Sequence, residues 1–136
     1  MKPIDQTKLH KPGKQKGNCM NAAFASLMEI QIEDIPKFED MPGSSWYIAL
    51  TNWLYGCGFE LLRWDYEIYL GGYFIANGPS PRGFEHSVVY KGTEMVHDPH
   101  PSRGGLEKVT SVWALLPLDP SCFTKYGFIQ HGDNNE

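Results

Sequence analysis

Apolar residues at Met20, Ala23, Phe24, Leu27 and Met28 recur at the spacing of one helix face, which predicts a helix over residues 19–29. Asn18 stands where an N-cap residue stands, ahead of the free N–H groups of a first turn. A second helix is expected after Gly43-Ser44-Ser45: Trp46, Leu50, Trp53 and Leu54 fall at helical spacing, and Gly56-Cys57-Gly58 stops it. Between the two, residues 32–38 read as a short helical turn ended by Pro36. Residues 1–17 have no such period and contain Pro3, Pro12, Gly13 and Gly17, so they read as an extended polar arm.

The second half of the chain changes period. Residues 59–64 and 72–76 read as strands, 77–83 as a Pro/Gly-rich loop, 87–90 as a strand, 91–93 as a turn and 94–97 as the returning strand. A loop over 99–105 precedes a last strand over 109–116. Helices first and strands after predict an α+β domain in which the first helix packs on an antiparallel sheet.

Composition narrows the function classes. A chain of 136 residues suits one domain with one core, spanning 1–136. With 41% hydrophobic and 21% charged residues it is globular rather than disordered in kind. A net charge of -4 does not favour a general nucleic-acid surface, and the early lysines Lys8, Lys11, Lys14 and Lys16 read as a solvated arm. No run approaches the ~18 apolar residues of a membrane span. The first residues lack the apolar stretch of a signal peptide, so the expected setting is the cytoplasm. The three cysteines, Cys19, Cys57 and Cys122, are widely spaced and odd in number, which argues for free thiols over a disulfide framework. There is no Cys-x-x-Cys pair to support a zinc site.

One cysteine has chemistry within reach. Cys19 opens the first helix, where the positive end of the helix dipole and the free N–H groups favour a thiolate and an adjacent oxyanion. A buried, inert thiol is the plainer alternative for a lone cysteine. His86 opens a strand whose partner ends at Asp98. A hairpin centred on Gly92 would set His86 opposite Asp98, with Cβ atoms ~5 Å apart. A histidine held by a carboxylate is the orienting device of a nucleophile–base–orienter triad. His97 then faces the other way and is structural, while His100 lies in the loop. A metal on His97, Asp98 and His100 would compete with that role for Asp98, and neither a metal nor a cofactor is expected.

In this order and context, three motifs resemble the papain-like cysteine peptidase superfamily. They are Gly17-Asn18-Cys19-Met20-Asn21-Ala22-Ala23, His86-Ser87-Val88-Val89-Tyr90 and Val96-His97-Asp98-Pro99. The nearest kinship is with bacteriocin-processing (double-glycine) peptidase domains and small phage-encoded proteins. The resemblance covers residues 15–120 and implies a minimal papain-like fold with a Cys19-His86-Asp98 triad. The family's glutamine, about six residues before the cysteine, would fall at position 13, which is Gly13. Gln15 or the side chain of Asn18 is therefore expected to complete the oxyanion hole. Met20 replaces the family's frequent glycine, and the Cys-Gly-Ser-Cys-Trp signature is absent.

The activity so implied is cofactor-free thiol hydrolysis through a thioester, as a cysteine peptidase, amidase or isopeptidase. The substrate would be a peptide or protein, with a ubiquitin-like tail or other isopeptide as a variant, met in the host cytoplasm if the chain is phage-encoded. The same triad serves an acyltransferase. A non-catalytic phage protein that captures a host factor is the third reading, favoured by the missing glutamine. The loops flanking the triad should rim the cleft, with Arg82, Gly83 and Arg103 as substrate-binding candidates. The four tryptophans are expected in the core, and Cys57 and Cys122 as bystanders.

Overall fold

Two helices pack on a five-stranded antiparallel sheet in the computed structural model, which describes residues 1–119 and 121. Cys122 lies outside the described residues. Helix α1 spans Cys19–Met28 and α2 spans Ser45–Gly56. The strands are β1 (Phe59–Trp64), β2 (Tyr73–Pro79), β3 (Glu85–Lys91), β4 (Glu94–His97) and β5 (Ser111–Pro117). Their order across the sheet is β1-β5-β2-β3-β4, and every neighbouring pair is antiparallel. No helix among the described residues is long and apolar enough to cross a membrane.

The apolar face read for α1 is there, but the helix is buried on every side from Asn21 to Met28. Ala22, Ala23 and Ala25 let it approach its neighbours closely, and Phe24 stacks on Trp113 of β5 with ring centroids 5.9 Å apart. The side left polar by the sequence pattern is covered by the N-terminal arm. Ser26, fully buried, receives the Ile4 N–H at 2.9 Å and donates to Ala22 O at 2.8 Å. The backbone N–H of Lys2 adds a bond to Ser26 O.

Both faces of the sheet are covered, so the inner strands are apolar without alternation. Ile75, Val89, Trp113 and Leu115 pack with the helices, whereas Phe74, Ala76, Val88 and Val112 pack with Leu62, Trp64 and Leu106 on the far side. Burying side chains of this size stabilises by roughly 1.5–3 kcal/mol each. The tryptophans all pack against these two clusters.

Three local expectations change. The 32–38 turn is two separate 3-10 turns, Ile32–Asp34 and Phe38–Asp40, split by Pro36. The loop expected over 77–83 is shorter, because β2 continues through Pro79 and Asn77 pairs with both Ser87 and Ser111. Gly78 permits this: a Cβ there would lie 2.0 Å from Lys108 O, so only glycine lets that backbone pass. The β3–β4 hairpin turns on two residues, Gly92 and Thr93, so that Lys91 pairs with Glu94 and Tyr90 with Met95. A bulge between Val89 and Tyr90 then sets Val89 opposite His97. The direct 86–98 pairing is thus corrected. Continued past the strand end, this register sets Asp98 beside Val88, a diagonal away from His86.

Candidate active site

The side chains of His86 and Asp98 still meet. His86 Nε2 lies 2.6 Å from Asp98 Oδ1, with both residues buried. The carboxylate receives two further donors: the His100 N–H on Oδ1 at 2.9 Å and the Gly105 N–H on Oδ2 at 2.7 Å. Burial works against ionisation of Asp98, but the bonds from His86, His100 and Gly105 outweigh it and hold the carboxyl down at about 2. Burial likewise opposes the charge on His86. The bonds to Asp98 and to the Cys19 side chain overcome that, and its pKa is pushed up to about 9. Since Nε2 is engaged by Asp98, Nδ1 is the ring nitrogen left for Cys19.

Cys19 is the first residue of α1 and half-buried. The first intrahelical bond runs from the Ala22 N–H to Asn18 O at 3.0 Å. The N–H groups of Cys19, Met20 and Asn21 therefore have no acceptor within the helix. Cys19 and His86 share one open cleft of about 520 Å3, walled by the arm on one side and by the loop before β3 on the other.

The other residues expected at the site divide. Arg82 and Gly83 line the cleft with Cys19. Gln15 does not: its amide donates to Leu9 O at 2.8 Å, on the far side of a small hairpin in which Lys11 pairs with Gln15. Asn18 neither caps α1 nor reaches the cleft. Its Oδ1 accepts the N–H groups of Thr7 and Lys8 at 3.0 and 2.9 Å, and its Nδ2 donates to Thr7 Oγ1 at 2.8 Å. Arg103 is turned to the opposite side, where it holds both carboxylate oxygens of Asp5 and the carbonyl of Asp98. That bond lowers the Asp5 carboxyl and raises the Arg103 guanidinium. His97, oriented away as expected, contacts Ile4 O through Nε2 at 2.8 Å.

Lys11, Lys14 and Lys16 are exposed, as expected of a solvated arm, whereas the start of the arm is tied to the domain. Lys8 pairs with Glu39 and lies 3.6 Å from Asp40, a pairing that raises its pKa. The Gln6 N–H bonds Pro99 O at 3.1 Å, directly after Asp98. This brings a residue the sequence reading does not reach into the cleft: the side chain of Gln6. Its Nε2 donates to Lys8 O at 2.8 Å, and its Oε1 is buried without a partner among the described residues. Gly17 makes room, since a Cβ there would lie 2.9 Å from the His10 nitrogen and 3.3 Å from Gln6 Nε2. The signal for this reversal is the Pro12-Gly13 pair, a turn dipeptide that folds the chain back between Gln6 and Cys19. No three His, Cys, Asp or Glu side chains among the described residues are grouped to hold a metal ion. No family model, curated protein or solved structure matches this chain.

Proposed function

We propose that this chain is a papain-like thiol hydrolase that cleaves an amide bond in a peptide or protein, with Cys19 as nucleophile, His86 as general base and acid, and Asp98 as orienting group. One observation carries the reading. A buried histidine, gripped through Nε2 by an ionised carboxylate, shares one cleft with a half-exposed cysteine at the first residue of a helix, and that cysteine favours the charge on its ring. That is the functional relation a thiol triad requires, and a merely structural His–Asp pair has no need of the cysteine.

In the reaction, Nδ1 of His86 takes the proton from Cys19 Sγ, and the sulfur attacks the substrate carbonyl carbon. Charge moves to the carbonyl oxygen, where the free N–H groups at the start of α1 can receive it. Gln6 adds to them: a side-chain amide carries two hydrogens, and Lys8 O takes only one. The tetrahedral species collapses as His86 protonates the departing amine, leaving an acyl-thioester on Cys19. Water, deprotonated by His86, then releases the acid. A ring with a pKa of about 9 can hold that proton at neutral pH until the departing amine takes it.

A glutamine in the cleft, Gln6, supports the catalytic reading against a non-catalytic scaffold. The order of parts supports the papain-like assignment: cysteine at a helix start, histidine near a strand start, aspartate just past the next strand. The cytoplasm follows as the proposed setting, host cytoplasm if the chain is phage-encoded. Brief iodoacetamide labelling at pH 7 followed by mass spectrometry tests the nucleophile. Cys19 is expected to react well ahead of Cys57, whose thiol is pushed up by desolvation. Equal labelling of the two would sink the assignment. So would retained turnover of a peptide or isopeptide substrate in Cys19→Ala or His86→Ala.

A further inference from the structure

We infer that the cleft beside Cys19 selects acidic peptides, placing a substrate carboxylate side chain between Lys16 and Arg82 and an adjacent apolar residue against Leu9 and Phe84. The inference deepens the hydrolase reading and rests on it for the statement that the bound peptide is an acyl donor.

The charge pattern is the first ground. Arg63 and Arg103 each hold an aspartate, Asp65 and Asp5 respectively. Arg82, the third arginine of the chain, instead donates to the neutral Ser102 Oγ at 3.0 Å. Its guanidinium is fixed at the cleft with no carboxylate partner among the described residues. Lys16 lines the opposite wall and likewise has no ion pair among the described residues, in contrast to Lys8, which is held by Glu39 and Asp40. The arm brings no compensating charge, because the sequence has no acidic residue between Asp5 and Glu29. Among the described residues, Glu85 is the single acid lining the cleft. In a chain of net charge -4, this is a local reversal of sign. His100, also in the lining, has its pKa lowered by burial and then by Arg82 and His86, as a ring in a positive field should.

The apolar ground is independent. Leu9 and Phe84 remain 39% and 37% exposed, one on each wall of the cleft. The His10 ring packs on Phe84 with centroids 4.3 Å apart, so the two walls meet and form an apolar shelf. Exposed apolar surface next to a positioned guanidinium and an ammonium with no ion pair among the described residues fits a peptide with an apolar and an acidic residue side by side.

The test is a random hexapeptide library captured on immobilised Cys19→Ala protein, which binds without turning over. The enriched peptides are then assayed for cleavage by the intact protein. Asp or Glu next to an apolar residue should be enriched. The Lys16→Gln/Arg82→Gln variant should bind the best acidic peptide about tenfold more weakly, from about threefold per charge removed. No enrichment at all, enrichment without Asp or Glu, or unchanged affinity in the double variant overturns the inference. So does a single-stranded oligonucleotide that binds as tightly as the best peptide and is lost in the same variant, since that marks a generic polyanion surface. Circular dichroism of the double variant confirms its fold. The two readings fail separately: acidic peptides bound but never cleaved reject the hydrolase, while cleavage confined to neutral peptides rejects the acidic preference.

Discussion

Replacing Asp98 by asparagine keeps the shape of the side chain and removes its charge, which isolates what the carboxylate does. In the native protein its two oxygens accept three N–H groups, from His86, His100 and Gly105. Asparagine has one acceptor oxygen, so at least one buried N–H must face its amide donor, at a cost of about 1–3 kcal/mol. The charge effect can be sized from the pair itself. Asp98 is depressed from 3.8 to about 2, whereas His86 is raised from 6.5 to about 9. The two differ because His86 also answers to Cys19 and Asp98 to two backbone donors, so the shared interaction is on the order of 2 kcal/mol. The stabilisation from a raised histidine is complete below pH 6.5 and is lost as the pH climbs through about 9. That from a depressed aspartate is complete above pH 3.8 and is lost as the pH falls toward about 2. The pair therefore contributes fully between these limits, and Asp98→Asn should lose about 3–5 kcal/mol in urea unfolding at pH 6. The decisive assay is an NMR titration of the His86 ring. Its pKa should fall by about 1–2 pH units in the variant, and the alkaline limb of any activity profile should follow it. A His86 that still titrates near pH 9 in Asp98→Asn would refute the claim that the carboxylate holds the proton on the ring.

Three further outcomes are expected. Gly17→Ala should lower kcat/KM by at least about tenfold with a smaller loss of stability, because its Cβ would press on the His10 nitrogen and displace Gln6; peptide turnover and thermal unfolding separate the two effects. Asn18→Ala should cost about 2 kcal/mol, since the Thr7 and Lys8 N–H groups lose their acceptor, and amide exchange of residues 4–8 should speed up. Gly78→Ala should destabilise by about 3 kcal/mol or abolish folding, as the added carbon would collide with Lys108 O, a backbone atom that cannot swing away; an unchanged Tm would contradict the close approach.

The periodic elements were legible because periodicity records burial. Leu50 and Leu54 mark the inner face of α2, and Val88, Val89 and Val112 mark strands covered on both sides. The pairing of β3 with β4 was legible as well, since Gly92 with a φ of 62° permits a tight turn. The register was not. Whether a hairpin closes on two residues, and whether a bulge follows at Val89, depends on packing against α1 and on the hydrogen bonds that draw Asp98 toward Gly105. Neither leaves a mark in the alternation of side chains. Cys19, His86 and Asp98 could still be singled out because a strand start and the end of its partner strand lie close in either register, and a buried carboxylate needs donors such as the His86 ring.

The arm shows the opposite case, where residues that shape the candidate site lie in a stretch without pattern. Among the described residues, its apolar contributions to the core are Met1 and Ile4, and its shape is fixed by individual hydrogen bonds: Ile4 to Ser26, Gln6 to Pro99, Thr7 and Lys8 to Asn18. Such bonds are pairwise and aperiodic, so a polar, Pro/Gly-containing stretch that makes them looks the same in sequence as one that does not. Yet the arm sets both ends of the candidate site. Through Asp5 it anchors Arg103, which holds the carbonyl of Asp98; through Asn18 it fixes the residue next to Cys19; and between them it inserts Gln6 into the cleft. The hydrogen bonds that Asn18 and Gln6 make are each worth only about 1 kcal/mol to stability. Their combined effect on the position of three groups around one sulfur is larger, because catalysis depends on distance far more steeply than folding does. Variants in residues 4–8 should therefore separate activity from stability more cleanly than variants anywhere in the sheet.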